Sequence, residues 1–508
     1  TKVGDAAELQ ALSEVYRSSG RPGTWCALGS VKSNLGHTKA AAGAAGLIKA
    51  ALALKHKVLP PTIKVSEPLP GLAGGETPFY LNTEKRPWLP PAGHPRRAAV
   101  SAFGFGGSNF HAVLEEHRPV KAGTDWDSTV ELAAFSAPDF ESLLESLAAW
   151  AVPMNWEEVR LKAFASRASF DRARPLRLCV VLEKGKTDTV KLFTELGETV
   201  RKNREKRFWS TRDGAAFFRG APLGRLAALF PGQGAQYVGM GRDLACQFAA
   251  MQEALAQADA ALGEPLSDLL YPRPVFTPEA AEAAEAALRA TQAAQPAIGA
   301  VSLGALRVLS AFGVSPESCG GHSYGELTAL CFAGRLSPEE LFTLSRLRGR
   351  LMASGGGDKG TMLAALAPIA RVRSAVEEDK LDVVLANKNA PEQVVLSGGT
   401  EAIGRAALAL EARGIRVTRL SVAAAFHSRL VSDAAEPLRR SLKDAAFPEG
   451  SIPVYSNTTA EPYPADGGEA KDLLSGQLAR PVEFLSKIEN MYRDGARVFL
   501  EIGPGARI

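Results

Sequence analysis

Residues 320–326 read Gly320-Gly321-His322-Ser323-Tyr324-Gly325-Glu326, and Gly321, Ser323 and Gly325 form the pattern Gly-x-Ser-x-Gly. Small residues on both sides of a Ser permit the tight strand-to-helix turn of a nucleophile elbow. The Ser side chain then points outward, and the N–H groups at the helix start face a developing oxyanion. A chain with 48 Gly can also make this pentapeptide as a plain Gly-rich turn carrying an exposed Ser. The flanking His322 and Glu326 weigh toward the elbow. A second Gly-rich stretch, Pro231 to Gly241, follows the short apolar strand Ala227 to Phe230. Backbone N–H groups there could cradle a phosphate. The spacing, however, fits neither the P-loop nor the dinucleotide fingerprint. The other reading is a loop whose N–H faces Ser323.

Regular elements must carry these groups. An apolar helix-like run from Ala297 to Leu309 and a polar turn from Gly313 to Cys319 precede the elbow, and Leu327 to Ala333 reads as the helix after it. Ser337-Pro338-Glu339-Glu340 marks a further helix start, with Ser as N-cap, Pro at the first position and Glu three residues on. That helix carries Arg346 and Arg350 on one face and Arg348 on another, and ends near Ser354 to Gly357. By residue type alone, Arg348 on a polar helix is a surface charge. Next comes a strand–helix–strand–strand–helix–strand order within about 360–422, which suggests a ferredoxin-like subdomain. It delivers the chain to Ala424-Ala425-Phe426-His427-Ser428. The tail carries Val454-Tyr455-Ser456-Asn457, Pro481-Val482-Glu483-Phe484 and Val498 to Gly505.

The 508 residues lead us to expect two to four domains. With 46% hydrophobic and 22% charged residues the composition is that of a globular protein. A net charge of +4 is too small to imply nucleic acid. No apolar run is long and clean enough to span a bilayer, so no membrane is expected. The start Thr1-Lys2-Val3-Gly4-Asp5 has no Met and no signal peptide, which suggests a fragment or a processed chain. Cys26, Cys179, Cys246, Cys319 and Cys331 are odd in number and lack C-x-x-C spacing. They fit a reducing cytoplasm, with neither a disulfide framework nor a zinc site.

Ala6 to Ser18 has helical spacing, Trp25 to Val31 is strand-like, and Ala40 to Lys55 is a small-residue helix. So many Ala and Gly predict a central helix packed closely by its neighbours. Gly29 to Gly46, together with Val100 to His111, resembles the C-terminal part of a β-ketoacyl synthase. That family has a thiolase-like fold and condenses acyl thioesters by way of a Cys nucleophile, two His and a Lys. The resemblance places Lys32 and His37 at the Lys and the second His, and Phe105 at an aromatic gate. The first His and the Cys nucleophile have no counterpart, and Cys26 stands in the wrong context to replace the latter. Without a thiolate there is no acyl-enzyme, so residues 1–118 are expected to be an inactive remnant. Judged by residue type alone, His37 would be a buried structural His.

Residues 119–225 alternate strands and helices, implying a small α/β module. The strands are Thr129 to Phe135 and Leu176 to Leu182; the helices are Ala137 to Trp150, with Pro138 in its first turn, Trp156 to Ser166, and Thr187 to Val200. No constellation of acids, His or nucleophiles lies within it. Its basic run, Arg201 to Arg207, reads as a solvated face or as a docking patch for an acidic carrier. The segment resembles the adapter between synthase and acyltransferase domains of polyketide and fatty-acid megasynthases.

Residues 226–508 resemble an acyltransferase domain of the malonyl-CoA:acyl carrier protein transacylase type, with five motifs in order. The resemblance implies Ser323 as nucleophile, His427 as general base and the N–H groups of Gln233 and Tyr324 as oxyanion hole. It implies Arg348 as holder of the malonyl carboxylate, with Gln295 and Asn389 as polar positions near the site. Phe426 either crowds a substituent on the malonyl α-carbon, favouring malonyl over methylmalonyl, or is plain core packing. A Ser hydroxyl needs a base to attack a thioester at neutral pH, and His suits that task. A fixed Arg pairs bidentately with a carboxylate, and a neutral acyl group would leave it buried and unpaired.

The fold class expected is therefore α/β: an acyltransferase with an α/β-hydrolase-like core and a ferredoxin-like subdomain, preceded by a partial thiolase-like fold and a small α/β linker. The resemblance implies no bound cofactor, malonyl-CoA as substrate, and the phosphopantetheine of an acyl carrier protein domain as acceptor. The remainder of the ketosynthase and its dimer mate are further expected partners. Within the family the motifs look closest to polyunsaturated-fatty-acid or enediyne-type synthases. Two other functions compete. A serine hydrolase would use most of the same residues but not Arg348, and a non-catalytic scaffold would need neither Ser323 nor His427. A partial ketosynthase would also expose apolar surface.

Overall fold

A computed structural model describes all residues except 1, 74, 92, 105, 222, 354–357, 421, 423 and 506–508. Phe105 and the expected helix end at 354–357 therefore lie outside the described residues. The chain forms two compact units, residues 1–125 with 224–508, and residues 126–223.

The centre of the first unit is a parallel sheet whose strands run in the order Val454–Tyr455, Ser318–Gly321, Arg225–Phe230, Ala496–Glu501. Ala227, Ala228 and Phe230 are buried, as is the whole of Ser318–Gly321. Cys319, expected in a turn, thus lies within a strand. The helix Thr291–Ala311 shares the main core with this sheet and starts six residues before the expected Ala297. Pro296 falls inside it, where tertiary packing outweighs the lost N–H. Gly299 and Gly304 let neighbours approach, since a Cβ at either would sit 2.2 Å from Tyr324 Oη or Met251 Sδ.

The capping box before the helix Pro338–Ala353 forms as expected. Ser337 N donates to Glu340 Oε2 at 2.7 Å, and Glu340 N donates to Ser337 Oγ at 3.2 Å. The subdomain that follows is an antiparallel sheet in the order Val383–Ala390, Gln393–Gly398, Thr361–Leu366, Arg416–Leu420, with helices Ile369–Glu378 and Thr400–Ala412. This is the ferredoxin-like order. Its own core holds Leu363, Leu396, Val372, Ile403 and Leu410.

The N-terminal part of the same unit contains three two-stranded sheets and the helix Ala42–His56. That helix corrects the expectation of close packing. Only Ala53 and Leu54 are buried, while Ile48 is 60% and Leu52 47% exposed. Its small residues meet neighbours on one side, where a Cβ on Gly43 or Gly46 would approach Ala102 or Val100, and the other side is bare.

The second unit is an antiparallel sheet in the order Val130–Ala137, Leu176–Glu183, Ala215–Arg219, Phe208–Ser210. Helices Phe140–Ala148, Trp156–Ala168 and Thr189–Lys202 supply the rest of its core with Leu143, Leu147, Val159 and Phe193. The first helix begins after Pro138: Asp139 is its N-cap and accepts from Ser142 N at 2.8 Å. The carboxylate satisfies an N–H that Pro138 cannot.

Candidate functional site

The strand Ser318–Gly321 and the helix Gly325–Phe332 meet at Ser323, whose φ is +49°. A non-Gly residue in that region is strained and persists only where its surroundings hold it. The glycines on either side are obligatory. A Cβ on Gly321 would lie 1.9 Å from Gly325 C, and one on Gly325 would lie 2.0 Å from Phe230 O. Residues 320–326 therefore form a strained elbow rather than an open turn. The loop after Arg225–Phe230 packs against it: a Cβ on Gly232 would lie 2.5 Å from His322 O. Among the described residues, the N–H groups of Gln233 and Tyr324 have no internal acceptor.

His427, also at positive φ, arrives from the end of the ferredoxin-like subdomain. Its Nε2 lies 2.7 Å from Ser323 Oγ. Its Nδ1 lies 3.3 Å from Gln477 O and 3.1 Å from Arg480 O. Carbonyls only accept, so the ring proton sits on Nδ1 and Nε2 is free to accept from the Ser hydroxyl. Burial, then Arg348, then His322 push the His427 pKa down to about 3, so the ring is neutral at ordinary pH.

Arg348 is not the surface charge its helix suggested. It is 2% exposed, because the face that carries Leu341, Leu344, Ser345 and Met352 is turned inward. Arg346 pairs with Glu264 at 3.0 Å and Arg350 is exposed, so the expected division of faces holds. Arg348 Nη2 donates to Gln477 Oε1 at 3.2 Å and reaches Ser323 Oγ at 3.4 Å. Burial lowers its pKa to about 10, which leaves it charged at neutral pH.

Of the other expected positions, Gln295 is fully buried and its Nε2 donates to Gln233 Oε1 at 3.4 Å, while Gln233 Nε2 donates to Thr291 Oγ1 at 3.3 Å. Asn389 Oδ1 lies 2.8 Å from His322 Nε2, whose pKa burial lowers to about 4. Phe426 is 7% exposed and belongs to the main core. Neither Lys32 nor His37 is buried: both are exposed. The backbone N–H of Lys39 donates to His37 Nδ1 at 3.1 Å, so His37 is not the buried structural His its type suggested. The thiol of Cys26 is pushed up to about 11 by burial.

Residue patterns gave no role to a second set of groups beneath the elbow. Ser323 O accepts from Gln477 Nε2 at 2.8 Å and from Asn457 Nδ2 at 3.2 Å. Buried Lys487 donates to Gly321 O and, at 2.8 Å, to Asn457 Oδ1. Buried Glu326 accepts from Asn457 N at 2.6 Å and from Tyr463 Oη. Asn457 lies in a stretch already conspicuous in the tail. Gln477 and Lys487 have no local motif, and nothing short of the tertiary fold brings them to the site.

A family model described as "Acyl transferase domain" matches residues 228–508. The chain belongs to the acyl transferase family. A second model, "Beta-ketoacyl synthase, C-terminal domain", matches residues 1–66. The acyl transferase is 35% identical over 543 residues to a polyunsaturated fatty acid synthase polypeptide of Thraustochytrium sp., with 99% of this chain and 19% of that protein covered. It is 35% identical over 516 residues to the spectinabilin polyketide synthase system protein NorB of Streptomyces orinoci, covering 100% of this chain and 23% of the relative. The chain thus spans about a fifth of the length of each. An acyl carrier protein S-malonyltransferase from Vibrio cholerae is a structural neighbour, with 34% identity, TM-score 0.51, and 55% of this chain and 90% of that one covered. The acyltransferase domain of an iterative polyketide synthase in enediyne biosynthesis is another. It has 27% identity and TM-score 0.57, and covers 74% of this chain and 86% of that one. Among the described residues no helix is long and apolar enough to cross a membrane.

Proposed function

We propose that this acyl transferase moves a malonyl unit from coenzyme A to the phosphopantetheine thiol of an acyl carrier protein, within polyketide or polyunsaturated-fatty-acid synthesis. The observation that carries the reading is convergence on one atom. Ser323 Oγ has His427 Nε2 at 2.7 Å and Arg348 Nη2 at 3.4 Å. A nucleophile, a neutral base and a cation suited to a carboxylate therefore share one buried site. The names of the structural neighbours, malonyltransferases among them, support the same substrate class.

In this mechanism Arg348 pairs with the malonyl carboxylate and places the thioester carbonyl beside Ser323. Ser323 Oγ attacks that carbonyl and its proton passes to His427 Nε2. The oxyanion is held by the N–H groups of Gln233 and Tyr324. On collapse the C–S bond breaks, and the CoA sulfur leaves with the proton from Nε2. The carrier's thiol then gives its proton to Nε2 and attacks the Ser ester, and Ser323 Oγ leaves with that proton. Ping-pong kinetics follow. The carbonyls of Gln477 and Arg480 stabilise the transient imidazolium in place of an Asp. Gln295 steadies the Gln233 loop, and Asn389 orients His322. Phe426 crowds a methyl group on the α-carbon and so favours malonyl over methylmalonyl.

Residues 1–118 are proposed to have no condensing activity. His37 and Lys32 are both open to solvent, and Cys26 is held as a thiol. The linker runs over 119–225 and the transferase over 226–508. The test is intact-protein mass after mixing with malonyl-CoA, methylmalonyl-CoA and acetyl-CoA in turn, with Ser323→Ala as control. A malonyl adduct confined to the unsubstituted chain is expected. Rapid CoA release from acetyl-CoA without a lasting adduct would identify a hydrolase instead, and silence with all three would identify a scaffold.

A further inference from the structure

Gln477 touches three functional groups at once. It opens the short turn Gln477–Ala479 and is 2% exposed. Its Nε2 donates to Ser323 O at 2.8 Å, its Oε1 accepts from Arg348 Nη2 at 3.2 Å, and its backbone O faces His427 Nδ1 at 3.3 Å. One amide therefore links the peptide that carries the nucleophile to the guanidinium. An Arg side chain has many rotamers, and in a buried site its position is set by what its N–H groups find. Here the acceptor is anchored at its other end to Ser323. The carboxamide is suited to this because it pairs a donor with an acceptor on one rigid group.

We propose that Gln477 is a specificity-determining positioning residue: its amide fixes the separation between Arg348 and Ser323, and so restricts the site to acyl groups whose carboxylate lies one carbon from the thioester carbonyl. The proposal rests on Arg348 as holder of the acyl carboxylate. With the bridge cut, Arg348 is free to meet a carboxylate further from the carbonyl, and the malonyl pose loses its alignment. A neutral acyl group, which makes no use of Arg348, is affected far less.

The test compares malonyl-CoA, succinyl-CoA and acetyl-CoA as acyl donors for the 508-residue chain and for Gln477→Met, which keeps length and volume but has neither amide donor nor acceptor. Each ratio is taken on one preparation, so a fall in the folded fraction cancels. Gln477→Ala serves as a second removal, with thermal unfolding followed for both. The malonyl-to-succinyl ratio of kcat/KM is expected to fall about tenfold or more, as expected for misplacing a reacting group. The KM for malonyl-CoA should rise, and kcat/KM should fall more for malonyl-CoA than for acetyl-CoA. Equal slowing with all three donors, or no change in any ratio, would overturn the proposal. Arg348→Ala in parallel separates the two layers. If it leaves the malonyl-to-acetyl ratio intact, the reading of Arg348 fails and this inference with it. If it collapses that ratio while Gln477→Met leaves the malonyl-to-succinyl ratio intact, only the role of Gln477 is lost.

Discussion

His427 and His37 were both picked out by motif, and the fold gives them opposite surroundings. His427 is 2% exposed, with its proton fixed on Nδ1 by two carbonyls and its free nitrogen 2.7 Å from a hydroxyl. His37 is exposed, and its ring accepts a hydrogen bond from the nearby backbone of Lys39. The N-terminal part is not loosely folded throughout. Some of its buried polar groups lie where it meets the transferase. Lys57 and Arg96 share Glu116 at 2.5 and 2.8 Å, Arg86 donates to Tyr271 O, and Gln252 Nε2 donates to Lys57 O at 3.3 Å. Its motif-bearing face, with Leu35, Ile48 and Leu52, stays open. A catalytic motif acts only where the surrounding fold sets proton position, dielectric and distance. The same residue types without that shell are ordinary surface groups.

Opening the closed side is the strongest way to break this contrast. Gly321→Ala would drive a Cβ to 1.9 Å from Gly325 C, so loss of about 3 kcal/mol or more is expected. Circular dichroism on heating should show a lowered midpoint, together with loss of the malonyl adduct. His427→Ala leaves the elbow in place and removes the proposed base. Stopped-flow CoA release should slow by about a thousandfold with little change in stability. A smaller fall would mean that another group takes the proton.

Acid pH sharpens the comparison. The proposed mechanism needs neutral His427, and its pKa is pushed down to about 3, so the neutral form persists as pH falls. Acylation at about pH 5 should stay within about twofold of that at about pH 7.5, whereas a base with the ordinary His pKa of about 6.5 would lose about thirtyfold over the same interval. An acid limb near the ordinary His pKa would show that the site is wetter than its geometry implies. The smallest effect is expected on the open side. Lys32→Ala and His37→Ala should each leave malonyl transfer within about twofold, as is usual for surface groups remote from a site. A larger change would reveal communication from the N-terminal part to Ser323.

The sequence determined a good deal unaided. Small residues flanking Ser323 announced the elbow, because only Gly fits where a Cβ would strike backbone. The Ser337–Glu340 box announced its helix, because both halves of that bond are local. Alternation over 361–420 announced the ferredoxin-like order, since each strand and helix has its own periodicity. The tertiary structure decided what lies between distant segments. Nothing around Arg348 indicated that it would be buried, because its burial depends on helices and loops far along the chain. Nothing local marked Gln477 or Lys487, whose partners lie 154 and 166 residues away. The exposure of the Ala42–His56 helix was likewise invisible, since its composition records a packing tendency and only the fold shows whether a neighbour is there to meet it.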